Sequence, residues 1–97
     1  MAQFDVFRLQ DGALVVDLQT DLIGLDATRL VAPLVDEGLY AAFPGLTPIV
    51  TFEGKRRIVR VQQLSAVPAQ ALRGKVGSLP EARDELLRAI DFLTHGF

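Results

Sequence analysis

The chain has 97 residues, 49% of them apolar, and its 10 Lys and Arg against 12 Asp and Glu leave a formal net charge of −2. A chain of this size buries about 60–70% of its unfolded surface, which supports one core and a single domain over 1–97. The acidic balance disfavours direct nucleic-acid binding, and the absence of cysteine excludes a disulfide framework, a cysteine-based metal site and a thiol nucleophile. No run approaches the ~20 apolar residues that span a bilayer, and Met1 to Arg8 lacks the basic-then-apolar pattern of a signal peptide. The expectation is a cytoplasmic protein without membrane contact.

In chain order, Gln3 to Leu9 and Ala13 to Leu18 read as two β-runs separated by Gln10-Asp11-Gly12, where the glycine supplies the positive φ of a hairpin turn. Gln19 to Ala27 is turn-like around Leu22-Ile23, and Thr28 to Leu34 resumes as a strand with Pro33 near its end or at an edge, since proline cannot donate to a ladder. Val35 to Thr47 carries Gly38, Pro44 and Gly45 with Leu39, Tyr40 and Phe43 between them, the composition of a packed excursion rather than a linker. Pro48 to Phe52 and Arg57 to Gln62 form a second hairpin about Glu53-Gly54, and Val67 through Gly77 reads as short turns with room for one brief strand.

The clearest signal is C-terminal. Ser78-Leu79-Pro80-Glu81 has the form of a capping box, with Ser78 as N-cap and Glu81 reaching back. Leu79, Ala82, Leu86, Ala89, Ile90 and Leu93 then follow helical spacing as a core-facing stripe, while Asp84, Arg88, Asp91 and also Phe92 fall on the polar side. Gly96 is placed to stop the helix with positive φ, leaving His95 as C-cap and Phe97 last. Strands first and one helix last predict an all-β or α+β fold, a small SH3-like barrel of antiparallel strands with one C-terminal helix.

Little chemistry is legible. A Ser-His-Asp constellation would have to use His95, two residues from the last position, a poor place to hold a base rigidly. Asp17, Asp21 and Asp26 lack the spacing and glycine of a calcium loop, so the preferred reading is a solvated turn with caps, and neither a metal nor a cofactor is expected. Lys55-Arg56-Arg57 with Arg60 is either a phosphate-contacting patch or a solvated turn and charged edge strand, and the acidic balance favours the second. No catalytic motif stands out, so the chain reads as a binder rather than an enzyme. Phe92 and Phe97 admit two readings: Phe97 folds back onto Phe92 across the glycine stop, or both aromatics with His95 form an exposed anchor for a partner.

Gln3-Phe4-Asp5-Val6, Val16-Asp17-Leu18-Gln19-Thr20-Asp21-Leu22-Ile23, Thr28-Arg29-Leu30-Val31-Ala32-Pro33-Leu34 and Val67-Pro68 carry a resemblance to the CcdB family of toxins. It extends to the ending, Arg83-Asp84-Glu85 through Ala89-Ile90-Asp91-Phe92-Leu93 to Gly96. It implies the barrel shared with MazF and PemK toxins, a homodimer, and a plasmid-maintenance role as the toxin of a type II toxin-antitoxin system. It also implies binding to the DNA gyrase A subunit, trapping of the cleaved gyrase-DNA complex as a topoisomerase poison, and neutralisation by a CcdA-like antitoxin with a disordered tail. By position, the gyrase-facing residues would be Leu22, Ile23, Asp91, His95, Gly96 and Phe97. Two departures stand out: the hairpin between Leu9 and Ala13 is short, and His95-Gly96-Phe97 replaces the family ending Trp-Gly-Ile. The alternatives are a MazF-like endoribonuclease on the same barrel and a family member that no longer poisons gyrase. Surplus apolar surface on so small a chain independently favours a two-fold dimer.

Overall fold

Alternating apolar residues and two glycine-containing turns set the first and second hairpins. In the computed structural model, which describes residues 2–20, 27–38 and 43–96, β1 (Asp5–Arg8) and β2 (Leu14–Asp17) pair antiparallel with Phe7 opposite Val15. Their turn closes as the sequence predicts: Gly12 has φ +91°, and the Asp11 carboxylate accepts the Ala13 N–H at 2.9 Å. β4 (Ile49–Phe52) and β5 (Lys55–Val59) are joined by Glu53 and Gly54, both at positive φ, which matches the strand twist of a two-residue hairpin. The strand expected to run to Gln62 ends at Val59, and Val61–Gln63 instead makes a single 3-10 turn.

The longest strand, β3 (Thr28–Asp36), organises the rest. It pairs with β2 along one side; on the other side its first half takes β6 (Ser65–Pro68) and its last three residues take β5. Pro33 therefore lies inside the strand, opposite Val15, rather than near its end. Its carbonyl accepts the Arg60 N–H at 2.9 Å, so its nitrogen points to the side where the partner changes from β6 to β5. A missing donor costs nothing in that gap. The region expected to hold one brief strand holds two, β6 and β7 (Lys75–Ser78), around a 3-10 turn at Ala69–Ala71.

The strand order β4-β5-β3-β2-β1-β7, with β6 on β3, is a curled antiparallel half-barrel closed at one end by the helix α1 (Arg83–His95). Both faces of β1 and β2 are buried. Val6, Val16, Ala32 and Leu34 point to the larger cluster, where Leu79, Ala82, Leu86 and Ala89 pack from the helical segment; Phe7, Val15 and Val31 point to a smaller one with Leu72.

Three helical details differ from the sequence reading. Ser78 ends β7 opposite Asp5, so it caps nothing; Pro80–Ala82 forms a 3-10 turn, and α1 begins at Arg83 with Asp84 and Glu85 in its first turn. Those two carboxylates suit the positive end of the helix dipole in place of the lost cap. Leu93, expected in the core stripe, is 37% exposed, whereas Phe92, expected on the polar side, is half-buried. The ring of Phe92 covers Gly45, where an added Cβ would sit 3.2 Å from Cδ2.

Closure of the half-barrel depends on a second glycine. Gly77 on edge strand β7 lies under the buried Phe52 ring of the opposite edge strand β4, and a Cβ there would come within 2.6 Å of Cε1. A stiff, buried ring cannot swing aside, so Gly77→Ala should destabilise by about 1–3 kcal/mol. Phe52→Leu in the same background should recover part of the loss, as read by urea denaturation.

Candidate functional site

Of the expected partner-facing residues, Asp91, His95 and Gly96 are described, and all three are exposed at the end of α1. Asp91 and His95 stand one helical turn apart on a single face, and both are exposed. His95 lies inside the helix rather than at its cap, because the Gly96 N–H still donates to the Phe92 carbonyl at 2.9 Å. Gly96 then leaves the helix at φ +71°, ψ −129°, a region close to glycine-only space. The positive φ foreseen for this residue is present, and it turns the chain sharply away from the last helical turn. Thr94 spends its hydroxyl on the Ile90 carbonyl at 3.0 Å, so the polar groups presented outward here come from Asp91 and His95. Of the other expected partner-facing residues, Leu22, Ile23 and Phe97 lie outside the described residues.

A buried polar cluster was not foreseen. Asp17, read from sequence as part of a solvated turn, is fully buried, and its carboxylate accepts Arg29 Nε at 2.9 Å and Nη2 at 2.8 Å. The signal was available. Val31 lies opposite Asp17, and Arg29 is the next residue along β3 on the same face, the diagonal position at which long side chains meet. A guanidinium in phase with buried valines has to find an anion. Two further bonds extend the cluster: Arg29 Nη2 to the Gln19 carbonyl at 3.0 Å, and the Leu30 N–H to Gln19 Oε1 at 3.1 Å.

The basic cluster is neutralised locally. Lys55 pairs with Asp36 at 2.7 Å, Arg56 with Glu37 at 2.9 Å, and Arg57 lies 3.5 Å from Asp36 and 3.8 Å from Glu53. These contacts tie the β4–β5 hairpin to the end of β3. The cluster is not on an edge strand as expected, because β5 pairs with β4 on one side and β3 on the other, but its charges are paired within the fold, which disfavours a phosphate site. Among the described residues no group of three His, Cys, Asp or Glu could hold a metal ion, and no helix is long and apolar enough to cross a membrane.

The architecture is a curled antiparallel half-barrel capped by one C-terminal helix whose last turn is polar and exposed. The fold is similar to a crystal structure of an Mtb toxin, with a TM-score of 0.74 at 15% sequence identity, covering 91% of this chain and 98% of that one. The sequence profile of the CcdB protein family matches residues 3–96, and the chain belongs to that family. Its members are the toxin components of toxin-antitoxin modules. No curated protein sequence matches the chain at a significant level.

The paired hairpin makes a pH prediction. The hydrogen bond from Lys55, with the charges of Lys55 and Arg57, holds the Asp36 carboxyl below its ordinary value despite some burial that opposes the shift. A carboxyl lowered in the folded state adds stability that is fully present above its unfolded value and is lost as pH falls through the lowered folded value. Asp36→Asn should therefore be less stable than wild type near neutral pH, with the gap closing as the solution is acidified below about pH 4. Chemical denaturation of both proteins across that range checks it, and the gap should shrink in high salt because the pair is partly exposed.

Proposed function

We propose that this chain is the toxin of a type II toxin-antitoxin system that binds the DNA gyrase A subunit and holds the enzyme in its cleaved complex with DNA. The observation that carries the reading is the family match over residues 3–96, and the exposed end of α1 is consistent with it. In this reading the protein works as a wedge and not as a catalyst: Asp91, His95, Gly96 and Phe97, with Leu22 and Ile23, contact gyrase, and no bond is made or broken by the toxin. His95 stands where the family has tryptophan and offers a flat imidazole for stacking on a guanidinium of the target. A homodimer presents two such ends to a two-fold target. A CcdA-like antitoxin, disordered until bound, neutralises the toxin in the cytoplasm by covering an already folded surface.

The endoribonuclease reading finds less support. Lys55, Arg56 and Arg57 are engaged by Asp36, Glu37 and Glu53, which leaves that strand poorly suited to track an RNA backbone.

Expression in sensitive cells and in a gyrase-resistant strain tests the target. Growth arrest is expected only in the sensitive strain, and His95→Trp should arrest growth at least as strongly. His95→Ala should relieve the arrest while leaving thermal stability within about 0.5 kcal/mol, since the side chain is exposed. Equal arrest in both strains would contradict gyrase as the target.

A further inference from the structure

The core grips α1 through Leu86 and Ala89, with Leu87 and Ile90 packed at its margin, and the last turn runs on beyond them. A helix end without tertiary contacts frays, since little more than one backbone bond fixes each terminal residue. Asp91, Leu93, Thr94 and His95 are exposed there, whereas Phe92 is half-buried. Its ring lies flat against Gly45, where a Cβ would come within 3.2 Å of Cδ2 and 3.3 Å of Cε2. Gly45 serves twice: its φ of +84° favours glycine, and the missing side chain gives the ring its seat.

The loop beneath the ring is closely bonded. The Phe43 carbonyl accepts the N–H groups of Leu46 and Thr47 at 2.9 and 3.1 Å, and the Phe43 N–H donates to Thr47 Oγ1 at 2.9 Å. The buried Thr47 hydroxyl returns its own proton to the Phe43 carbonyl at 3.2 Å. Both neighbouring carbonyls are tied to the sheet: that of Leu46 accepts the Val61 N–H at 3.2 Å, and that of Pro48 accepts the Val59 N–H of β5 at 3.0 Å. Nearer the middle of α1 the same loop stands off, and Gly45, Thr47 and Pro48 line a cleft of about 210 Å³ with Glu85 and Arg88. Close approach of loop and helix thus falls at Phe92. The carbonyl of Phe92 also receives the Gly96 N–H at 2.9 Å, so one residue seats the helix end by its ring and closes it by its backbone.

We propose that Phe92, seated on Gly45, is a positioning residue that holds Asp91 and His95 in place for the protein partner and acts through them rather than as a contact. This rests on the gyrase reading only for the identity of the partner. The physical basis is preorganisation: a helix end competent for only a fraction of the time binds more weakly by that fraction.

Phe92→Ala empties the seat, and Phe92→Leu keeps an apolar side chain over Gly45. Val15→Ala, in the smaller cluster with Phe7, Val31 and Leu72, lowers global stability without touching the helix and serves as the control. Melting temperature, amide exchange at Thr94, His95 and Gly96, and affinity for a gyrase A fragment are measured where all four proteins are folded. Phe92→Ala should exchange about ten-fold faster at those three amides and bind about ten-fold more weakly, and Phe92→Leu should recover most of both. Val15→Ala should melt lower with exchange at the helix end and affinity unchanged. Weak binding by Phe92→Ala with wild-type exchange would overturn the proposal by making the ring a direct contact. Faster exchange with wild-type affinity would overturn it too, as would equal changes in Phe92→Ala and Val15→Ala, which would reduce the seat to global stability. If the wild type does not bind the fragment while exchange behaves as expected, the choice of gyrase falls and the hold of Phe92 on the helix end stands.

Discussion

A carboxylate and a guanidinium with almost no access to water meet between β2 and β3, and much of the barrel is arranged around that meeting. Neither charge could be buried alone without a cost of several kcal/mol. Asp17 is therefore bound to Arg29, and Arg29 in turn reaches the Gln19 carbonyl just beyond the last ladder pair of β2 and β3. The backbone carbonyl of Asp17 also accepts the Phe4 N–H at 2.6 Å, and the Phe4 carbonyl accepts the Leu79 N–H at 2.9 Å. A short chain of bonds thus connects the β2–β3 junction, the start of β1 and the approach to α1. Phe4 holds φ +71° to make this link, an unusual conformation for a bulky residue that the buried surroundings enforce.

Strand β3 carries Arg29, faces Asp17 on β2, and meets three partners, β2, β5 and β6. Burial on both faces where β2 and β3 pair explains why Val15 and Val16 of β2 and Val31 and Ala32 of β3 are all apolar although adjacent residues face opposite ways. The helix closes the larger cluster through Leu86 and Ala89, and its last turn projects beyond the core, which leaves Asp91 and His95 in water. Fold and site are separable here: the polar residues at the helix end make no core contact, so they can differ from those of other family members without unsettling the barrel. The replacement of the family tryptophan by His95 is tolerable on those grounds.

Turns were the most legible part of the fold. Asp11-Gly12 and Glu53-Gly54 announce hairpins because their residues accept positive φ, and the structure uses Gly12, Glu53 and Gly54 in that way. Long-range partners were not legible. Ser78 has the local spacing of a helix cap, but Asp5 across the sheet claims it for a strand. Pro33 looks like a strand end until β6 and β5 are seen to divide the far side of β3 around it. The helix stripe was right for Leu86 and Ala89 and wrong at its end, where Gly45 makes room for Phe92 and leaves Leu93 exposed. Periodicity gave Asp17 no partner, since the ion pair depends on the register between β2 and β3. At the site, Asp91, His95 and Gly96 were named from the family resemblance, whereas Arg29 and Gln19 emerged only with the fold.

The account places partner recognition at the end of α1, where Asp91 and His95 are exposed one helical turn apart. Titration of isotope-labelled protein with a gyrase A fragment, followed residue by residue by nuclear magnetic resonance, tests that directly. The account predicts that the amides of Asp91 to Gly96 shift and saturate with the fragment, while those of Lys55 to Arg57 stay still. Shifts confined to the Lys55 to Arg57 hairpin, or none at the helix end, would contradict it.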